Sequence, residues 1–299
     1  MPGQGAQRRR GLIYVLVATV LWSLAGLFAR LVPHLDFGTV LFGRASFGGI
    51  CGLALAFFDW RRGRLDARAL MTPYAPVVIL LSSTAISTYV AALMTTTVAD
   101  VLVIYATLPF FAAGMAFAIT GERSSRRTLI AAGVAMIGII VMVAGGLGHG
   151  RLLGQALSLL MTVTFALLVV LQRRDPELPV APINALAALV AAGFGFAVSK
   201  HVPVSPFDIG VLFVFGVTTI TIAFALFMEG AKFVPPAEAA LLAMLDVVLG
   251  PLWVLIAFGE RPDRTTLIGG FFVVVAAVWR LAPELRRPTR EVLPAGSPL

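Results

Sequence analysis

Residues 101–121, VLVIYATLPFFAAGMAFAITG, form a stretch without a charged side chain that is long enough to cross a membrane as one helix. About 20 apolar residues, rising 1.5 Å each, span the ~30 Å hydrocarbon core of a bilayer. Similar charge-free runs cover 11–29, 69–99, 128–150, 152–172, 178–199 and 209–228. Three more stretches qualify when one charge is admitted, namely 38–58, 236–258 and 264–282. The sequence therefore predicts an all-α polytopic membrane protein with ten transmembrane helices.

The composition of the 299-residue chain agrees with this prediction. Hydrophobic residues make up 59% of the chain and charged residues 13%, against about 45–50% and about 25% in soluble domains. A water-soluble fold has no interior large enough to bury so much apolar surface. The ten spans also leave only short loops, which excludes an additional soluble domain.

The formal net charge of +8 raises the possibility of a nucleic-acid partner, but the distribution of charge argues against it. Of the 23 Lys and Arg residues, 17 fall on the side of the N-terminus and 5 on the opposite side, while Arg44 lies within a span. This bias follows the positive-inside rule. We expect a multi-pass protein of the bacterial inner (plasma) membrane, with both termini cytoplasmic, a lipid bilayer and a small-molecule substrate as partners, and no nucleic acid.

Catalytic and metal chemistry find little support. The single cysteine, Cys51, lies inside the second span and has no partner for a disulfide. The three histidines, His34, His149 and His201, fall in predicted loops, and no His or Cys pair has metal-ligand spacing within a span. No nucleophile has an evident base. We expect no enzyme activity, no metal and no cofactor.

A repeat divides the chain into halves. Gly121-Glu122-Arg123 recurs as Gly259-Glu260-Arg261, an offset of 138 residues, and at the same offset Thr-Leu-Ile at 128–130 recurs at 266–268. The first spans of the halves align more weakly at an offset of 143, which places Trp22 on Phe165. Because each half has five spans, the second half enters the membrane from the opposite side, as in many secondary transporters. We therefore predict two five-helix inverted-topology repeats, at 11–146 and 152–282, followed by a disordered cytoplasmic tail at 283–299.

The motifs in these spans resemble a known family. They are Trp22-Ser23, Arg44, Leu108-Pro109, Gly250-Pro251 and the two Gly-Glu-Arg sequences. Together they are similar to the drug/metabolite transporter superfamily of the EamA type, over residues 11–282. The resemblance implies ten helices, alternating access, and a central cavity lined by the first, third, fourth, sixth, eighth and ninth helices. It also implies export of amino acids or other small metabolites, as in many members.

The leading interpretation is a secondary transporter that exports amino acids or related small organic solutes by alternating access. The sequence contains no Gly-rich phosphate-binding loop, which argues against transport driven directly by ATP hydrolysis. The alternative is a multidrug exporter of lipophilic cations, which is weakened because 11–29 contains no acid. An intramembrane enzyme or a channel is a more distant reading. We expect a monomer or a weak homodimer.

Ionisable residues inside spans are the first candidates for function, because they are costly there. Arg44 either snorkels to the interface and pins its helix, or it meets a substrate carboxylate or an acidic partner. Asp246 lies near the midplane and is too short to snorkel. It either braces a neighbouring helix, or it couples a proton or contacts a substrate ammonium.

Other candidates are polar or aromatic. The third span carries hydroxyls on one broad face, which predicts a polar cavity wall or interhelical packing. The residues expected to bind substrate are Trp22, Ser83, Ser87, Tyr89, Tyr105 and Asp246. Pro109 and Pro251 are expected to be hinges, because each removes a backbone donor from its helix.

The remaining acids lie at helix ends. Asp100 and Glu238 are repeat-related acids in first turns, where the helix dipole favours them, and they have a coupling or a structural role. Glu122 and Glu260 are expected to pair with the adjacent arginines. Glycine pairs such as Gly48-Gly49 and Gly269-Gly270 are expected to permit close helix packing.

Overall fold

The computed structural model describes residues 3–63, 72–121, 125–146, 151–175 and 178–286. Within these ranges the chain is helical and contains no strand, which confirms the predicted all-α class. The helices are α1 (Gly3–Ser23), α2 (Ala25–Leu31), α3 (Phe37–Arg61), α4 (Ala75–Thr95), α5 (Val98–Tyr105), α6 (Leu108–Thr120), α7 (Arg126–Gly146), α8 (Leu152–Arg174), α9 (Val180–Val198), α10 (Pro206–Gly216), α11 (Ala223–Ala231), α12 (Pro236–Ala243), α13 (Asp246–Phe258) and α14 (Arg264–Arg286).

These helices correspond to the ten predicted spans. Four spans are interrupted: α1 and α2 form span one, α5 and α6 span four, α10 and α11 span eight, and α12 and α13 span nine. In the described residues, spans one to nine are long and apolar enough to cross a membrane. The tenth predicted span is the 23-residue α14. It extends to Arg286, into the segment predicted as tail, and 287–299 lie outside the described residues.

Helix packing follows the two-fold relation of the repeats. Span one is the repeat equivalent of span six, and span three of span eight. Span three packs along span six, and correspondingly span eight packs along span one. Span two is the repeat equivalent of span seven, and span five of span ten. The two members of each of these pairs also pack together.

The first residue of each Gly-Glu-Arg motif is a glycine because it ends a helix. Gly121 and Gly259 follow the last residues of α6 and α13, and both adopt a left-handed conformation, with φ of 72° and 69°. A left-handed residue ends a helix and bonds its last carbonyls, and glycine adopts it without a steric penalty. The recurrence of the motif therefore marks the ends of two equivalent helices.

Glycines also allow helices to approach closely, as predicted. A Cβ atom on Gly48 would lie 2.8 Å from the Gly216 carbonyl oxygen, and one on Gly269 would lie 2.4 Å from that of Gly138. The second contact joins α7 to α14. Such close backbone approach is typical of packed membrane helices.

The outer surface of the bundle is apolar. Large side chains such as Ile140, Leu153, Ile256 and Phe271 are 60–69% exposed on the fifth, sixth, ninth and tenth spans. A continuous apolar surface of this kind would not persist in water. It is suited to contact with lipid chains.

Candidate functional site

Spans four and nine are each broken near the middle, at equivalent positions. Residues 106–107 separate α5 from α6, and 244–245 separate α12 from α13, at the repeat offset of 138. Pro109 accounts for the first break, because its ring is incompatible with a helical carbonyl four residues earlier, at Tyr105. Pro251 lies inside α13, beyond the second break. The predicted hinge therefore coincides with a helix break at Pro109, whereas α13 continues through Pro251.

Asp246 is the first residue of α13, directly after the break in span nine. Its side chain is buried, with 9% of the residue exposed. Among the described residues its Oδ1 atom has no hydrogen-bond partner and its carboxylate has no ion-pair partner. The positive end of the α13 dipole favours a carboxylate at this position. An unpartnered buried carboxylate oxygen is nevertheless costly, which makes Asp246 a candidate ligand-binding group.

Two tyrosines lie near this carboxylate. Tyr89 of α4 and Tyr105 at the end of α5 both interact electrostatically with Asp246. Both tyrosines are half-buried. The Tyr105 ring packs edge-on against Phe165 of α8, with 5.9 Å between ring centroids. Three of the predicted site residues, on three different spans, therefore come together.

Arg44 of α3 joins the same cluster through Tyr89. Its guanidinium carbon lies 5.5 Å from the Tyr89 ring centroid and 4.6 Å from that of Phe215. Nη2 donates a hydrogen bond to Thr219 Oγ1 at 3.2 Å, while the buried Nε and Nη1 atoms have no partner among the described residues. Only 5% of Arg44 is exposed. The snorkelling interpretation is therefore wrong, because the guanidinium points into the bundle.

A π-helical turn at Val217–Ile222 in span eight supports Arg44. Such turns leave carbonyl groups without their usual helical partners and are frequent at functional sites. Trp22 Nε1 donates to the Thr219 carbonyl at 2.9 Å, and the Thr219 side chain holds Arg44. The Trp22 ring also packs on Phe227, with centroids 5.1 Å apart. Trp22 is thus connected to the Arg44 cluster through Thr219.

A comparison with protein-family models places the chain in a family. The EamA-like transporter family model matches twice, over residues 9–144 and 152–281. The chain belongs to the EamA-like transporter family.

A solved structure titled "Crystal structure of protein" aligns with this EamA-like chain with a TM-score of 0.64 and 20% sequence identity. The alignment covers 94% of this chain and 99% of that one, and at this identity it supports the fold alone. A search of curated proteins gives no match. The family assignment makes the chain a multi-pass membrane transporter of the drug/metabolite type with two EamA repeats.

The hydroxyl-rich face of α4 in this EamA-like protein is buried. Ser83, Ser87 and Thr88 are 7–9% exposed. Ser87 donates to the Ser83 carbonyl at 2.8 Å, and Thr88 donates to the Thr84 carbonyl at 2.7 Å. The O–H groups of Ser87 and Thr88 are satisfied within α4, so only their oxygen lone pairs are available to other groups. A substrate contact at Ser83 or Ser87 stays a prediction.

Asp100 and Glu238 lie at helix starts, away from Asp246. The residue Asp100 is fully buried, and its carboxylate accepts hydrogen bonds from Thr266 at 2.6 Å and Thr96 at 2.8 Å. Glu238 pairs with Arg8 at 2.8 Å near the surface. Both acids therefore bind side chains of other spans or segments, in addition to any interaction with their own helix dipoles.

The sequence predicted that Glu260 pairs with the adjacent arginine, but among the described residues its ion-pair partner is Arg30. It accepts a hydrogen bond from Arg30 at 2.7 Å, across the two halves. Its other oxygen accepts the Val98 backbone N–H at 3.0 Å. The equivalent Glu122 lies outside the described residues. Sequence reasoning missed Arg30, although its position as a single basic residue at the end of span one is a usable signal.

Proposed function

We propose that this chain is a secondary transporter that exports amino acids or related small metabolites by alternating access. The observation that carries the proposal is a pair of buried, oppositely charged side chains near Tyr89. Arg44 and Asp246 both interact electrostatically with this tyrosine, yet neither has an ion-pair partner among the described residues.

A zwitterionic substrate satisfies both groups at once. Its carboxylate accepts hydrogen bonds from Arg44, whose Nε and Nη1 are unpartnered; a bidentate fork joins either of these nitrogens to the second hydrogen of Nη2. Its ammonium donates to the unpartnered Oδ1 of Asp246. Buried charges without partners are expensive, so binding of such a substrate recovers energy that the empty protein forgoes.

The helix breaks beside the cluster fit a carrier. In inverted-repeat transporters, the substrate binds near the midplane at discontinuous helices, and the two halves rock around it. Asp246 and Tyr105 flank two such breaks. We further propose the bacterial inner membrane as location, cytoplasmic termini on the basis of the positive-inside charge bias, and a monomer or weak homodimer.

The second candidate is an exporter of lipophilic cations. It is favoured by the aromatic groups near the acid, since Tyr105, which interacts with Asp246, and Phe165, which packs on Tyr105, offer ring surfaces to a cation. Arg44 argues against it, because an unpaired guanidinium repels a cationic substrate that carries no acid. An enzyme is the least supported reading, because the family is one of transporters.

Uptake into proteoliposomes tests the proposal. The panel holds zwitterionic amino acids, their cationic methyl esters, their anionic N-acetyl forms and quaternary organic cations, each with and without a pH gradient. The proposal predicts saturable transport of at least one zwitterion and slower transport of its ester and N-acetyl forms. Transport of quaternary cations alone would favour the second candidate.

A further inference from the structure

The strongest unassigned feature is a partly buried ionic network at the end of the bundle where Arg30 lies, called here the Arg30 end. Arg30 donates to Glu260 at 2.7 Å and to the Thr96 carbonyl oxygen at 2.9 Å. It also donates to the Leu93 carbonyl oxygen. Glu260 in turn accepts the Val98 N–H at 3.0 Å. The end of span one is thereby tied to the ends of spans three and nine and the start of span four.

Asp100 extends the same network to spans six and ten. Gln155 Nε2 donates to its carboxylate at 3.3 Å, Thr266 Oγ1 at 2.6 Å, and Arg151 lies 3.5 Å away. Arg151 also pairs with Asp263. The Asp100 and Arg151 side chains are 0% and 12% exposed. Every ion pair in the network of which one partner is Arg30 or Asp100 joins the first half of the chain to the second.

The repeat provides an equivalent contact at the opposite end of the bundle, where α1 begins, called here the Arg8 end. At the offset of 143, Arg151 corresponds to Arg8, and at the offset of 138, Asp100 corresponds to Glu238. These two residues also form an ion pair, at 2.8 Å. The equivalence was read from sequence offsets alone, and the structure brings both pairs into contact.

The two equivalent contacts differ in their surroundings. The Arg8 and Glu238 side chains are 57% and 26% exposed, against 12% and 0% for Arg151 and Asp100. Thr128 is the equivalent of Thr266, but it bonds locally to Ser125 instead of reaching an acid. The network at the Arg30 end therefore contains a fully buried carboxylate, Asp100, while the equivalent ion pair at the Arg8 end is partly exposed to solvent.

We infer that these ion pairs lie at the two gates of the transporter, and that this structure is closed at the Arg30 end, while the Arg8 end is exposed to solvent with its ion pair still formed. The inference rests on the proposed alternating-access transport. When two inverted repeats exchange conformations, contacts at one end take the form of their equivalents at the other. The opposite state therefore buries Arg8 and Glu238 and exposes Asp100 and Arg151.

Two reporter positions test this exchange. Leu102 lies two residues beyond Asp100 on α5 and is 3% exposed, and its repeat equivalent at the offset of 138 is Ala240 on α12, which is half-buried. Each is changed to cysteine separately in a Cys51→Ser background, which removes the sole native thiol. The rate of maleimide labelling of purified protein in detergent then reports the opening of each end.

Asp100→Asn and Glu260→Gln weaken the network with little change in shape. Each is expected to raise labelling at Leu102→Cys at least about fivefold, a typical size for a shift between coupled states, and to lower labelling at Ala240→Cys. Arg8→Gln is expected to leave Leu102→Cys labelling low. Glu229→Gln is the matched control and should change neither rate, because Glu229 is exposed and its ion pair within the described part of the chain is a local one with Lys232.

The proposal is overturned if labelling at Leu102→Cys does not rise, or if both reporters rise together, which would mean general loosening. If Asp100→Asn fails to elute as a folded species, Thr266→Val keeps the carboxylate and the volume, and a folded Thr266→Val protein with unchanged labelling also overturns it. Labelling requires no substrate. A result in which labelling shifts but the transport panel fails would therefore reject the substrate and keep the gates.

Discussion

Asp246→Asn is the change that most sharply separates a binding role from a structural one. The carboxylate has an unpartnered oxygen and no ion pair among the described residues, so the amide breaks no salt bridge. The protein without substrate should therefore be as stable as the wild type, or more stable by up to about 1 kcal/mol, because a buried unpaired charge has been removed.

The effect on substrate binding should be large. A hydrogen bond to a charged group contributes about 1.5–3 kcal/mol, so loss of the ammonium contact should weaken binding roughly 10- to 150-fold. At a substrate concentration of 100 times the wild-type dissociation constant, binding stabilises the wild type by about 2.7 kcal/mol. A variant with about 100-fold weaker binding would gain only about 0.4 kcal/mol at that concentration.

Thermal unfolding in detergent, with and without the transported zwitterion, measures both effects. The matched control is Asp59→Asn, an exposed acid near the end of α3, which should keep the full substrate shift. A wild-type substrate shift in Asp246→Asn would refute the binding role. A large loss of stability without substrate would instead indicate that Asp246 braces its neighbours.

Two further predictions concern packing and pH. Gly216→Ala should destabilise the protein by about 1–3 kcal/mol and weaken substrate binding, because the new Cβ would lie 2.1 Å from the Arg44 carbonyl oxygen. The control is Gly210→Ala in the same helix, whose new Cβ would meet nothing within 4 Å. Equal thermal unfolding temperatures of the two variants would contradict the prediction. Asp36 caps α3 between the first two spans; burial raises its pKa, but hydrogen bonds from Thr39 and from the Lys200, Thr39 and Gly38 backbone outweigh burial and lower the pKa below 3.8. Because the lowered pKa belongs to the folded state, the capping contribution is full above pH 3.8 and is lost as the pH falls through the folded value. Unfolding of wild type and Asp36→Asn from pH 6 to pH 2.5 should show a stability difference that shrinks only at the acid end, and a constant difference would count against it.

The sequence predicted the spans well because charge is a nearly binary signal in a membrane. Lipid tolerates so few charged groups that the runs between them mark helices directly. The repeat was also predictable to the single residue. The Gly-Glu-Arg offset of 138 matches the breaks at 106–107 and 244–245 residue for residue, because equivalent helices share their special backbone positions.

The sequence failed where the direction of a side chain around its helix mattered. Arg44 was placed within the second span, but a helix that is apolar on all sides does not reveal which face meets the bundle. The structure directs Arg44 at Phe215 and Tyr89. Glu260 was given a neighbour in sequence as partner, whereas its partner Arg30 is 230 residues away. Such pairings depend on how helices pack, and no local pattern records them.

Binding of substrate analogues to two charge variants tests the central claim most directly. Affinities of a transported amino acid, its methyl ester and its N-acetyl form would be measured by calorimetry on wild type, Arg44→Gln and Asp246→Asn. If Arg44 binds the carboxylate and Asp246 the ammonium, Arg44→Gln should weaken binding of the amino acid and of the N-acetyl form but leave binding of the ester unchanged. Asp246→Asn should weaken binding of the amino acid and of the ester but leave binding of the N-acetyl form unchanged. Equal losses for all three ligands in both variants, or no loss in either, would contradict the account.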